Sequence, residues 1–166
     1  MAEIFRVAKI DKGYLAVMAR PGLYESLRQT FEALAKLDIG VVVSLLEEDE
    51  ARELGLADEK IACASTGIEF LSFPIKDHGL PSDAEAVSQF SKWAHARIAN
   101  GCGWVFHCHA GIGRSGIMAA SVLLQEGYTV RQAFACISAA RGLAVPDTLG
   151  QLEWVERNYE ILRGNI

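Results

Sequence analysis

Apolar residues along the chain recur with a period that switches between about two and about 3.6. Tyr14 to Ala19 reads as a strand; after Pro21-Gly22, the residues Leu23, Leu27, Phe31 and Leu34 recur at helical spacing and stop near Asp38 to Gly40. Val41 to Leu46 is an almost wholly apolar, β-branched run, the pattern of a central strand covered by helices on both faces. Short helices are predicted around Glu50 to Leu54 and Asp58 to Ala64, with the acidic stretch Glu47 to Glu50 read as a solvated helix start. A strand from Ile68 to Phe73 is closed by Pro74, and Lys76-Asp77-His78-Gly79-Leu80-Pro81 has the turn residues of a loop. Ser82 with Glu85 spells a capping box for a helix that carries Val87, Phe90, Ala94 and Ile98 on one face and stops at Asn100-Gly101. Trp104 to His107 is the next strand and Ile117 to Gln125 the next helical run. Thr129 with Gln132 and Thr148 with Gln151 are further capping boxes, and the chain ends helical. Alternating strands and helices predict an α/β fold: a single domain over residues 1–166, with a central, mostly parallel sheet flanked by helices.

Composition narrows the function classes. The chain has 166 residues, a formal net charge of -5, 51% hydrophobic and 22% charged residues, which is enough for one core and excludes intrinsic disorder. Mild acidity gives no electrostatic footprint for nucleic acid. No apolar run approaches the roughly 20 residues of a membrane span. Glu3, Arg6, Lys9, Asp11 and Lys12 interrupt any stretch of signal-peptide length, so a cytoplasmic, monomeric protein is expected. The four cysteines show no disulfide framework. Cys102 and Cys108 on one strand would stand about 20 Å apart, too far to bridge. All four are expected to be reduced, with Cys63 and Cys136 as small core residues. Trp93 and Trp154 are expected to pack inward from helix faces.

The candidate chemistry lies in His107-Cys108-His109-Ala110-Gly111-Ile112-Gly113-Arg114-Ser115-Gly116, between an apolar strand and a helical run. Five residues separate Cys108 from Arg114, enough for the chain to curl once around a small anion. Gly111 and Gly113 permit the conformations that turn successive N–H groups inward, forming a nest for phosphate. The positive end of the following helix points at the same spot, and Arg114 adds a planar fork for two phosphate oxygens. A cysteine at a helix N-terminus near an arginine is stabilised as the thiolate, so Cys108 is expected to attack a bound phosphorus in line. The leaving oxygen then needs a proton. Asp77, on a loop 31 residues upstream, is the best-placed acid, and the Ser115 hydroxyl can donate to the sulfur as it departs. His107 is expected to be hydrogen-bonded to the loop in support of the thiolate. His78 is either a solvent-facing neighbour of the acid or a substrate contact.

His-Cys-x5-Arg-Ser resembles the signature of the cysteine-dependent protein tyrosine and dual-specificity phosphatases. Further landmarks, Val41 through Glu48, Phe73 through Pro81, and Ala140-Arg141-Gly142 through Thr148 and Gln151, are similar to those of its compact, microbial dual-specificity-like branch. The resemblance covers roughly residues 10–160. It implies the cysteine-phosphatase fold, Cys108 as nucleophile, Arg114 as phosphate binder with His109 to Gly113, Asp77 as general acid and Ser115 as assistant to thiolate departure. It further implies that Gln151 orients the attacking water and that Arg20, in Met18-Ala19-Arg20-Pro21, contacts substrate. No cofactor or metal is implied, and phosphorylated proteins or peptides are the expected partners. The chain lacks the Trp-Pro-Asp spelling and the tyrosine-bearing recognition loop of the larger tyrosine-specific enzymes. A shallow pocket that also admits phosphoserine and phosphothreonine is therefore expected.

Other readings use the same residues. A zinc site at Cys102, His107, Cys108 and His109 conflicts with strand alternation, which sends adjacent side chains to opposite faces. Gln151 is equally well explained as half of a capping box. A phosphoinositide or small-molecule phosphatase, a phosphate-binding pseudoenzyme, and a sulfur-transfer or arsenate-reducing enzyme remain as alternatives.

Overall fold

Five strands form one sheet in the order β1-β2-β5-β3-β4, as seen in a computed structural model that describes residues 2–164. β2 (Gly13–Met18), β5 (Gly103–His107), β3 (Ile39–Ser44) and β4 (Glu69–Ser72) run parallel, and β1 (Phe5–Ile10) pairs antiparallel with β2 through a tight turn. The sheet is thus mixed but mostly parallel, as expected. β1 was not anticipated. A bulge between Arg6 and Ala8 puts its buried residues, Val7 and Ile10, three positions apart, so the two-residue alternation of a strand is missing from the sequence.

The strands alternate their side chains between two cores. Leu15, Val17, Val41, Val43, Trp104 and Phe106 meet the layer built by α4 (Ala84–Ala99), α5 (Gly113–Gln125), α6 (Val130–Arg141), α7 (Leu149–Arg157) and α8 (Tyr159–Arg163). Ala16, Met18, Val42 and Val105 face α1 (Leu27–Lys36) and α3 (Glu59–Ser65) on the other side. Every residue of β5 is buried, which explains its apolar run from Trp104 to Phe106. The short helix α2 (Glu48–Glu53) follows β3.

Helix ends differ from expectation where a neighbouring residue caps better. α1 starts at Leu27 because Ser26 and Gln29 form a reciprocal capping box, and Leu23 lies outside it, 43% exposed. α4 is capped by Asp83, whose carboxylate accepts from the Glu85 and Ala86 N–H groups, rather than by Ser82. α5 begins at Gly113, four residues before Ile117, so half of the glycine-rich segment is its first turn. Trp154 is buried, whereas Trp93 is 43% exposed with one edge against Trp104.

Register aligns the carboxyl ends of the parallel strands. His107 is paired with Met18 on one side and Ser44 on the other, and Ser44 with Ser72. The segments that leave this edge therefore converge: Ala19-Arg20 after β2, Glu47 to Glu50 after β3, Phe73 to Asp77 after β4 and Cys108 after β5. Such an edge is where open parallel sheets build their sites.

Candidate active site

Between His107, the end of β5, and Gly113, the start of α5, the chain turns through Cys108 to Ile112. Gly111 has φ +75, and a Cβ there would stand 2.6 Å from the Met18 carbonyl oxygen, so the loop can close against β2 only with glycine. Cys108 is 3% exposed. Its sulfur accepts from the Gly111 N–H at 3.3 Å and from the Ser115 hydroxyl at 3.1 Å, two donors suited to a negative sulfur.

Arg114 sits in the first turn of α5 and is 2% exposed. Nη1 and Nη2 donate to Glu50 Oε1 and Oε2 at 2.7 and 2.8 Å, a bidentate pair; Nη1 also donates to the Ile75 carbonyl at 3.0 Å and Nη2 to Asp77 Oδ1 at 3.0 Å. Burial works against the charged guanidinium, but the Glu50 hydrogen bonds outweigh it, with further support from the Cys108 sulfur and the Glu50 and Asp77 charges. The net effect holds its pKa above that of an ordinary arginine. Glu50, read from sequence as solvated, is thus the main partner of the candidate phosphate-binding side chain. Its acidic neighbours gave no reason to separate it from them.

A cavity of about 220 Å³ is lined by Asp77, His78, Cys108, His109, Ala110, Ile112, Gly113, Arg114, Asp147 and Gln151. The structure brings together every residue expected in the cradle, with the acid and the water-orienting candidate. Gln151 serves both readings: its Oε1 accepts the Thr148 N–H at 3.1 Å in the capping box, while its buried amide also lines the cavity and donates to the Gly79 carbonyl at 3.4 Å. A Cβ on Gly113 would stand 2.8 Å from that amide, so glycine lets α7 close on the cradle. His78 has φ 55 and its Nδ1 lies 3.0 Å from Asp147 Oδ2, which links the Asp77 loop to the segment before α7. Asp147 was not singled out; its only signal is its place beside Pro146 in a turn.

Arg20 lies next door. Its N–H donates to the His109 carbonyl at 3.1 Å, while its side chain lines a separate hollow of about 190 Å³ with Tyr24 and Arg141. Arg141 Nη2 in turn donates to the Ala110 carbonyl at 2.9 Å. His107 is fully buried, its Nδ1 3.3 Å from the Cys108 carbonyl oxygen and its Nε2 2.5 Å from Glu59 Oε2. Thus His107 and Cys108 turn to different surroundings, as strand alternation requires.

A family model described as "Tc-R-P: Polymorphic toxin system, DSP-PTPase phosphatase" matches residues 16–128. No curated protein matches the sequence. Among solved structures, the chain is similar to kinase associated phosphatase with its catalytic-site cysteine replaced by serine (TM-score 0.87, 19% identity, covering 99% of this chain and 97% of that one). It is also similar to a glycine-to-alanine mutant of Tk-PTP (0.73, 27% identity, covering 94% and 93%) and to PTPMT1 in complex with PI(5)P (0.76, 22% identity, covering 95% and 97%).

Proposed function

Because the chain belongs to the DSP-PTPase phosphatase family, within the cysteine-dependent phosphatase superfamily, we propose that it is a metal-independent phosphomonoesterase of phosphoproteins. It acts on phosphotyrosine and on phosphoserine and phosphothreonine through a phosphocysteine intermediate. The observation that carries this reading is the Cys108 sulfur in a phosphate-sized cavity, with the Gly111 N–H and Ser115 hydroxyl aimed at it and Arg114, hydrogen-bonded to Glu50 and the Ile75 carbonyl, in the same lining.

In the first step the Cys108 thiolate attacks phosphorus in line; the S–P bond forms, the P–O ester bond breaks, and Asp77 gives its proton to the leaving oxygen. Arg114 and the loop N–H groups hold the equatorial oxygens, where charge is greatest in the transition state. In the second step water, held by Gln151, attacks the phosphocysteine. Asp77 takes the water proton, the S–P bond breaks, and the Ser115 hydroxyl supports the departing sulfur. Phosphate leaves and the thiolate is restored.

The test is phosphate release, in excess chelator, from matched phosphotyrosine and phosphothreonine peptides and from a phosphoinositide. Comparable peptide rates support a dual-specificity site. A strong phosphotyrosine preference means a tyrosine phosphatase, and turnover of the phosphoinositide alone overturns the protein-substrate reading.

A further inference from the structure

Glu59 is the only buried carboxylic acid side chain among the described residues, 2% exposed at the first position of α3. Its single ion-pair partner there is His107, itself fully buried at the end of β5. A buried charged pair is seldom a net source of stability, since an apolar pair of equal volume does as well. This pair, however, adjoins the nucleophile: the opposite nitrogen of the same ring lies 3.3 Å from the Cys108 carbonyl oxygen.

A carbonyl oxygen only accepts, so His107 Nδ1 must carry a proton to bond it. Which ring nitrogen is protonated is set by the hydrogen bond at the other. The Glu59 carboxyl at Nε2 holds the ring in the orientation that aims Nδ1 at that oxygen. We infer that Glu59 is a positioning residue of the site: it binds His107 at Nε2, fixes the ring, and thereby pins Nδ1–H on the Cys108 carbonyl so that the sulfur is held in its attacking position. The inference rests on the phosphatase reading for its catalytic consequence, but not for its geometry.

The surroundings leave this task to Glu59. Ser44, paired with His107 in the sheet, has its hydroxyl oxygen engaged by the Leu46 N–H. Cys63, one turn along α3, is held as the neutral thiol by burial and then by the Glu59 charge, pushed up to about 12. Glu48, Arg52 and Lys60 line the hollow outside Glu59, and none forms an ion pair with it among the described residues. On the Cys108 side the charged groups are Arg114, Asp77, Glu50, His109 and Asp147.

The experiment uses ¹⁵N-histidine-labelled protein, whose sequence contains four histidines. In wild type, the His107 Nδ1–H is expected to give a signal protected from solvent exchange, and in Glu59→Gln that signal is expected to broaden by exchange. Alkylation of Cys108 by iodoacetamide and kcat on a phosphopeptide are each expected to fall about tenfold in Glu59→Gln, as for a displaced reacting group. Affinity for inorganic phosphate should stay within about twofold, because Arg114 keeps its own partners. A merely structural Glu59 would lower the melting temperature and leave the His107 Nδ1–H signal and the alkylation rate unchanged, and that result overturns the inference. Should Glu59→Gln fail to fold, absence of a proton on His107 Nδ1 in wild type overturns it equally. Absence of any phosphoester turnover by wild type would instead sink the phosphatase reading, while the ring-proton and alkylation comparison still decides the role of Glu59.

Discussion

Asp77 and Arg114 are in contact: the guanidinium Nη2 donates to the carboxylate Oδ1 at 3.0 Å. The proton-donating candidate and the phosphate-binding candidate thus lie within one hydrogen bond of each other, although one is 50% exposed on a loop and the other 2% exposed in a helix. In the proposed reaction, a phosphate entering the cavity would compete with Asp77 for that nitrogen and so free the carboxyl to face the leaving oxygen.

Asp77→Asn tests this division of labour. Turnover is expected to fall about 10²- to 10⁴-fold for alkyl phosphates, whose leaving groups need a proton, and far less for nitrophenyl phosphate. Equal losses on both substrates, or none, would remove Asp77 from the proton-donor role and favour the sulfur-transfer or arsenate-reducing alternative.

Cys108→Ser is expected to abolish turnover while retaining affinity for phosphopeptide, measured by calorimetry, since Arg114 and the loop N–H groups are untouched. Turnover equal to wild type would overturn the phosphocysteine mechanism. No turnover in wild type and unaltered binding in the variant would identify a phosphate-binding pseudoenzyme.

Glu50→Gln removes the carboxylate that holds both Arg114 nitrogens. KM should rise about tenfold, and stability to urea should fall by about 1–3 kcal/mol, because the uncharged amide can accept from only one of the two guanidinium nitrogens and sets its own NH2 donor against the other. An unchanged KM would mean that Asp77 and the Ile75 carbonyl position Arg114 unaided.

Cys63 gives a pH dependence of known sign. Burial, and secondarily the Glu59 charge, raises its pKa from 9.0 to about 12 in the folded chain. Between those values the unfolded chain has lost a proton that the folded chain retains, so stability falls as pH rises above about 9. At pH 10 the loss from this group is about 1.4 kcal/mol. The stability gap between wild type and Cys63→Ala should narrow by that amount between pH 8 and pH 10, and parallel curves would refute the assignment.

What was legible in the sequence was local. Cys108, Arg114 and Ser115 lie within one turn of chain, and the glycines and flanking elements around them are sufficient to define a nest. Asp77 was visible through the turn residues about it. Glu50 and Glu59 were not, because they act on partners 64 and 48 positions away and stand beside acidic residues, Asp49 and Asp58, that face solvent. Nothing in their spacing distinguishes a buried carboxylate from an exposed one. The same physics explains β1 and Asp83: a bulge erased the period of the first, and a competing cap one residue along displaced Ser82.

α5 has a thermodynamic consequence for the whole domain. Every residue from Gly113 to Leu124 is buried, so the helix whose first turn lines the proposed phosphate cradle is also the central element of the larger core. Its amides are expected to exchange with solvent only through global unfolding, whereas those of the exposed Asp77 loop exchange from the native state. An oxyanion that occupies the nest is therefore coupled to the full cooperative transition, and saturating phosphate at 100 times its Kd should stabilise the protein by about 2.7 kcal/mol. Ligand screening by thermal shift becomes a direct reading of the cradle, with no substrate required.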